Sequence, residues 1–270
     1  MSQAGLDAAI TTVDEIAPEP RQALRDLILA LADSKRILGI RYADWVLGAP
    51  ELEASIAASS IAQDEWGHSR ILYALLKDFG DEPDQIEHER EASAYYSIEA
   101  LDEGLATWPD FVVANAITDT ALTIQLEALS ESRYAPLRQR VKKQLDEERF
   151  HFGHGRAWLR KMGQASDAAR ASLQAALAAR WPAIVSWFGP DDHGALLSEA
   201  GFSDATGGEA RARLLDRVAP IIEASGLEVP TPNLDFSGWD PSSRRSRRGG
   251  PDSDAIARAR GDRNRTFLMD

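Results

Sequence analysis

The chain contains no cysteine among its 270 residues. Disulfide bonds, zinc sites with thiolate ligands and cysteine nucleophiles are therefore excluded. A run of about 18 apolar residues is also lacking, so we expect no transmembrane helix. The N-terminal stretch MSQAGLDAAI has neither a basic region nor a long apolar core, so it does not resemble a signal peptide. The simplest interpretation is a soluble, cytoplasmic protein.

Positive charge is scarce and unevenly distributed. The formal net charge is −13. Residues 231–270 hold eight arginines and six aspartates, a net of +2, so residues 1–230 carry −15. An acidic body of this kind argues against nucleic-acid binding through that body.

Segments with a period of two and repeats of fixed length are missing, and the apolar pattern is helical instead. It predicts helices over 20–48, from within 48–53 to about Phe79, and over about 109–131, 136–163, 167–188 and 208–225. Four long helices with a long second-to-third connection favour an all-α, ferritin-like four-helix bundle with additional C-terminal helices.

The chain divides into three parts on this interpretation. Residues 1–19 form an N-terminal segment, residues 20–230 the ferritin-like helical domain, and residues 231–270 an extended basic tail. The tail is polar and contains glycine and proline, so we expect it to be largely disordered.

Each of the four core helices carries a polar interruption near the middle of its apolar stripe. These interruptions are Lys35, the pair Glu65 and His68, Asp119, and the pair Glu148 and His151. A buried unpaired charge is costly, so we expect these side chains to meet and satisfy one another. The midpoints of antiparallel helices lie at similar height, which allows one shared site.

The two Glu-x-x-His pairs point to metal binding. Residues i and i+3 of a helix face the same way, so each pair gives one oxygen and one nitrogen to a single ion. Two such pairs and carboxylates from the other helices make the di-iron site of helical bundles. One pair alone is more often a surface pair or a satisfied core hydrogen bond, but two pairs with Asp119 favour iron. The candidate metal ligands are Glu65, His68, Asp119, Glu148 and His151, and the candidate catalytic residues are Lys35 and Asp119.

Four stretches of the chain resemble the phenylacetyl-CoA epoxidase family of bacterial multicomponent oxygenases. They are APELEASIAASSIAQDEWGHSRILYALLKDFG, DEERFHFGHGRAWLRKMG, RWPAIVSWFGPDD and VPTPNLDF, and the resemblance covers about residues 24–236. It implies a ferritin-like fold and a di-iron catalytic subunit that adds one atom of dioxygen across the ring of an aromatic acyl-CoA. It also implies a homologous structural subunit without metal and a separate reductase.

The resemblance matches the five candidate ligands to the family's metal site, but the first helix departs from the pattern. The position of the sixth ligand, a glutamate in the family, is Lys35 here. A lysine among three carboxylates stays protonated, because opposite charges outweigh its desolvation. The site is then a single-metal site, a metal-free salt-bridge cluster, or a di-iron site with Lys35 turned outward. We expect iron as the cofactor, one ion or two, and Lys35 argues against the second.

Three functions stay open at this point. The first is a component of a multicomponent monooxygenase that acts on an aromatic acyl-CoA, which the retained Glu-x-x-His pairs favour. The second is a non-catalytic structural subunit in which Lys35 replaces metal within a salt-bridge network. The third is ferritin-like iron oxidation or storage, which the acidic body allows. The expected partners are a homologous ferritin-like subunit, a reductase and an aromatic acyl-CoA, in an oligomer without nucleic acid or membrane.

Overall fold

The computed structural model describes residues 9–231 and 233–263, and these ranges contain helices and turns but no β-sheet. The long helices are α1 (Pro18–Ala43), α2 (Leu52–Leu76), α3 (Trp108–Val113, Ala114–Thr118 and Asp119–Ala128), α4 (Ala135–Ala165), α5 (Asp167–Ser186) and α6 (Gly207–Ala224). The shorter helices are Pro83–His88, Ala195–Glu199 and Ser253–Ala259, with 3₁₀ turns at Val13–Glu15, Lys77–Phe79, Ala92–Ala94 and Glu99–Leu101. The all-α, ferritin-like fold class predicted from the sequence is confirmed.

The helix ends follow from local sequence signals. Pro18 occupies the first position of α1, where its missing N–H removes no helical hydrogen bond. The hydroxyl of Thr107 caps the start of α3 by accepting from the backbone N–H of Asp110 at 3.3 Å. After α2 and its 3₁₀ turn, Gly80 takes a left-handed conformation with φ of 94°, which ends the helix as predicted.

The first four long helices enclose the core. α1 packs along α2, while α4 contacts both α2 and α3, and α3 closes the bundle against α1. The long connection 77–107 joins α2 to α3, and α5 packs on the outside against α3 and α4. Within the described ranges, we find no helix with the length and apolar character needed to span a membrane.

The middle of α3 is a π-helical turn, Ala114–Thr118. Such wide turns are rare and are frequently found at functional sites. Gly155 of α4 lies directly against this turn, since a Cβ at Gly155 would be only 2.7 Å from the Cα of Ala116. The close approach holds α4 next to Asp119, the first residue after the π turn.

The C-terminal segment packs on the bundle over residues 233–263, where the sequence predicts an extended and largely disordered tail. Arg245 donates to the carbonyl oxygen of Ser97 at 2.6 Å and pairs with Asp102 at 2.5 Å. Both partners lie in the connection between α2 and α3. They are more than a hundred residues away in sequence, so a composition argument for disorder cannot detect them.

A second anchor fixes the segment to α1. Asp252 pairs with Arg41 at 2.7 Å, and the helix Ser253–Ala259 that follows packs on α1. The end of the predicted tail, residues 264–270, and the start of the predicted N-terminal segment, residues 1–8, lie outside the described residues. The limits of the three predicted parts stay a prediction.

Candidate metal centre

Lys35 lies at the centre of the polar residues that interrupt the four helices. Its side chain has no exposed surface. Its Nζ atom is 3.0 Å from Oε1 of Glu65, 2.7 Å from Oδ1 of Asp119 and 2.6 Å from Oε1 of Glu148. One ammonium therefore donates a hydrogen bond to one carboxylate on each of the other three helices.

Both histidines of the Glu-x-x-His pairs lie in the same cluster. His151 Nδ1 is 3.2 Å from Oδ2 of Asp119 and 3.2 Å from Oε1 of Glu65. His68 Nδ1 is 3.0 Å from Oε1 of Glu148. The structure thus brings all six interrupting side chains together, and each is at most 1% exposed.

Two carboxylates next to the motifs contact the histidines, although they are not among the candidate metal ligands. Glu147 Oε2 is 2.7 Å from His68 Nε2, and Asp64 Oδ2 is 3.3 Å from His151 Nε2. The sequence holds a signal for this arrangement, because each carboxylate directly precedes the glutamate of its own motif. Each then reaches the histidine of the facing helix, so the two motifs contact each other reciprocally.

An outer group of polar side chains extends the cluster toward α1 and α4. The hydroxyl of Tyr42 donates to Oδ2 of Asp119 at 3.3 Å, and Thr123 donates to Oε2 of Glu148 at 2.7 Å. Oδ1 of Asn115 lies 2.8 Å from Nδ1 of His154. Asn115 and Thr123 flank Asp119 at intervals of four residues on α3. Sequence analysis missed the polar roles of Tyr42, Asn115 and Thr123, because single polar residues in a helix carry no spacing signal.

The pKa values of the acidic and lysine groups follow from this crowding. Burial alone would lower the pKa of Lys35, but Asp119, Glu148 and Glu65 outweigh it and hold that pKa well above its usual range. Burial would raise the pKa of Glu148, yet Lys35 and the histidines hold it well below its usual range. Burial and the charge of Asp119 raise the pKa of Glu65 to about 7, despite Lys35.

The imidazoles also favour their charged forms. Burial opposes the charge on His151, but its hydrogen bonds to Asp119 and Glu65 raise its pKa to about 12. Burial likewise opposes the charge on His68, and the contact with Glu148 outweighs it, so its pKa is raised. The ammonium of Lys35 and the imidazolium of His151 therefore supply positive charge to the core carboxylates, and the raised pKa of His68 acts in the same direction.

Four of the candidate ligands lie close enough together to hold one cation. Glu65, Asp119, Glu148 and His151 each offer one donor atom, and these atoms all lie within 4.8 Å of one another. Oε2 of Glu65 is buried and has no hydrogen-bond partner among the described residues. His68 is not part of this set.

A four-helix bundle with a buried cluster of carboxylates and histidines is the architecture of ferritin-like proteins. The sequence model of the family described as phenylacetic acid catabolic protein matches residues 1–240. The chain belongs to that family, which confirms the resemblance found in the sequence.

Two relatives define the similarity further, and both are subunits of the 1,2-phenylacetyl-CoA epoxidase of Escherichia coli (strain K12). The chain is 26% identical over 234 residues to one of them, a match that covers 85% of this chain and 76% of the relative. It is 28% identical over 178 residues to the other, a match that covers 65% of this chain and 71% of the relative. The chain is thus similar to two different components of one multi-subunit epoxidase.

Proposed function

We propose that the chain is a non-catalytic structural subunit of a multicomponent monooxygenase that acts on an aromatic acyl-CoA. Family membership and the two epoxidase subunits among the relatives support the reaction class. The position of Lys35 supports the structural role. In this proposal a homologous subunit carries the metal and the chemistry, and the present chain positions and stabilises it.

The contacts of the Lys35 ammonium carry the proposal. Each core carboxylate gives one oxygen to Nζ at 2.6 to 3.0 Å, and those oxygens face the space between the helices. A di-iron centre needs negatively charged or neutral donors on all four helices. At the height of these three carboxylates, helix α1 places the ammonium of Lys35 and no donor for a metal. The residues present therefore do not fit two iron ions.

Charge balance points the same way. Lys35 and His151 bring positive charge to the core carboxylates, and the raised pKa values of His68 and Glu65 reduce the remaining imbalance, so the cluster largely compensates its charges with its own side chains. Removing one partner of such a network leaves uncompensated buried charge, which is strongly destabilising. The ligand residues can therefore stabilise the bundle through this network without metal.

A single-metal oxygenase component is the second candidate. The unpartnered Oε2 of Glu65 and the four donors within 4.8 Å of one another favour it. Glu65, Asp119, Glu148 and His151 would hold the ion, after Lys35 turns away from them. Iron in that place would supply the redox chemistry that oxygen activation requires. The third function, iron storage, has no observation of this kind in its favour.

Metal analysis of the purified chain tests the proposal. We expect far less than one iron per chain in the wild type and a clear gain in Lys35→Glu, which restores a carboxylate on α1. Lys143→Glu is the matched control, because Lys143 lies on the exposed face of α4. One tightly bound iron in the wild type would favour the second candidate, and two would overturn the proposed role of Lys35.

A partner assay tests the structural role separately. The chain is co-expressed with a homologous subunit that retains all six metal ligands, and the mixture is analysed by size-exclusion chromatography. We expect co-elution and oxygenase activity that depends on the partner's ligands and not on His151 of this chain. Activity of the chain alone with a reductase would contradict the proposal. The reductase, the acyl-CoA substrate and the cytoplasmic location stay predictions.

A further inference from the structure

A cavity of 430 Å³ lies between the N-terminal half of α1, the loop after α5 and the C-terminal segment. Leu27, Leu197 and Pro241 form part of its apolar wall, and His193 and Arg244 line it as well. Its volume falls in the range of about 300–1,000 Å³ that is typical of small-molecule sites. It shares no lining residue with the Lys35 cluster.

Arg244 is buried, with 6% of its surface exposed, and its hydrogen bonds leave donors to spare. Nε donates to the carbonyl oxygen of Trp187 at 3.0 Å, and Nη2 donates to Oε1 of Gln125 at 3.2 Å. Nη1 faces Nε2 of His193 at 3.4 Å. A guanidinium carries five N–H groups, so two of them have no acceptor among the described residues.

The other buried arginines of the described chain all have a carboxylate. Arg41 pairs with Asp252, Arg211 with Asp191, and Arg245 with Asp102. Arg244 pairs with none among the described residues. A buried charge without a counter-charge is costly. Burial accordingly lowers the pKa of Arg244 to about 9.

The backbone of Arg244 is unusual as well. Its φ of 59° is the only positive value at a non-glycine residue in the described chain. Such conformations cost free energy and cluster at functional sites. The side chain stacks on the ring of Trp187 at 4.4 Å, which fixes the guanidinium beside the cavity. An unpaired cation, a strained backbone and a cavity therefore occur at one residue.

We propose that this cavity binds a small monocarboxylate with a short apolar body, whose carboxylate accepts hydrogen bonds from Arg244. The planar guanidinium matches a carboxylate in a two-point contact. The wall that includes Leu27 and Leu197 receives the apolar body. Glu19 and Asp26 also line the cavity, so repulsion grows with each negative charge on the ligand, which favours a monocarboxylate over phosphate. This inference is independent of the proposed function.

Calorimetric titration of the full chain tests the site with three probes. Benzoate is the monocarboxylate, benzamide is its neutral analogue, and inorganic phosphate is the anion with more than one charge. We expect saturable binding of one benzoate per chain and at least tenfold weaker binding of benzamide and phosphate. Equal binding of benzoate and benzamide would overturn the role of Arg244, and no benzoate binding would overturn the site.

Two variants assign the binding to the cavity. Gln125→Glu places a carboxylate next to Nη2 of Arg244, where it pairs with the guanidinium in place of a bound ligand. Benzoate binding should therefore weaken at least tenfold in a folded protein. Arg149→Met removes an arginine whose side chain is 77% exposed, and should leave binding unchanged. Wild-type affinity in Gln125→Glu would place benzoate elsewhere and refute the proposal. Circular dichroism of both variants checks that they are folded.

Discussion

Lys35 and Arg244 are both cations with almost no exposed surface, and their surroundings are opposite. Lys35 contacts three carboxylates within 3.0 Å, which hold its pKa well above the usual range. Arg244 contacts a carbonyl, an amide and a neutral imidazole, and burial lowers its pKa to about 9. Burial of a charged side chain therefore does not by itself define its role. The cluster around Lys35 supplies counter-charges for its cation, whereas Arg244 forms no ion pair with the described residues.

The largest effect is expected from Lys35→Met. The variant leaves three buried carboxylates without their ammonium, so we expect the free energy of unfolding to fall by about 3–5 kcal/mol at neutral pH. Urea denaturation followed by circular dichroism measures it. Lys143→Met on the exposed face of α4 is the control and should change little. A decrease in the free energy of unfolding of less than about 1 kcal/mol for Lys35→Met would mean that the three carboxylates do not depend on the ammonium.

The pH dependence of stability tests the imidazole part of the cluster. The folded-state pKa of His151 is raised from 6.5 to about 12. The stability that this contributes is complete below pH 6.5 and is lost as the pH rises above it. We therefore expect chelator-treated protein to lose stability from pH 7 to 10, by at most about 1.4 kcal/mol per pH unit from this one proton.

His151→Asn should flatten that decline, because it removes the titrating group. His88→Asn serves as the matched control, since the side chain of His88 is 45% exposed and lies outside the cluster. A wild-type profile without slope between pH 7 and 10, measured by urea denaturation at each pH, would show that His151 is not charged in the folded state.

Asp102→Asn removes the carboxylate that pairs with Arg245, so that the surroundings of Arg245 resemble those of Arg244. The variant removes the carboxylate from a buried arginine and should lower the free energy of unfolding by about 1.5–3 kcal/mol. It should also speed proteolytic cleavage within the C-terminal segment, which Arg245 anchors. Glu131→Gln, at an ion pair with Lys142 whose glutamate is 73% exposed, controls for surface charge away from the C-terminal segment. Unchanged proteolysis would mean that the other anchor, Arg41 with Asp252, suffices.

The smallest effect is expected where an ion pair is exposed. Lys161 Nζ lies 2.8 Å from Oε2 of Glu51, as close as Lys35 is to its partners, but the two side chains are 55% and 43% exposed. Solvent screens such a pair, so Lys161→Ala should cost less than about 1 kcal/mol in thermal or urea unfolding. A cost equal to that of Lys35→Met would show that distance, and not burial, sets the contribution.

The sequence predicts the cluster well because its signal is local and periodic. Glu65 and His68 share a face at a spacing of three, and so do Glu148 and His151, and each pair lies at mid-helix. The helix limits are close for the same reason: α4 is predicted over about 136–163 and spans Ala135–Ala165. Regular spacing and bundle topology suffice to bring such residues together.

The remaining features depend on contacts that sequence spacing does not encode. The π turn of α3 changes the backbone hydrogen-bond pattern without a composition signal. The C-terminal arginines are expected in solvent, because their partners, such as Asp102 for Arg245, come from a distant part of the chain. The burial of Arg244 belongs to the same class. Tertiary partners decide whether an arginine-rich stretch is mobile or packed.

The π turn also determines the phase of α3. Phe111, Asn115, Asp119 and Thr123 are spaced at intervals of four, and all four are buried. In a regular α-helix each such step advances by about 40° around the axis, so a stripe with this spacing would wind away from the core. The wider turn at 114–118 reduces that drift, and it lets Phe111 pack against Tyr42 with tilted rings while Thr123 still reaches Glu148. The wider turn thus holds one extra residue, and deleting a residue there would leave Asp119 in phase with Phe111, because seven α-helical steps of about 100° fall only about 20° short of two full turns.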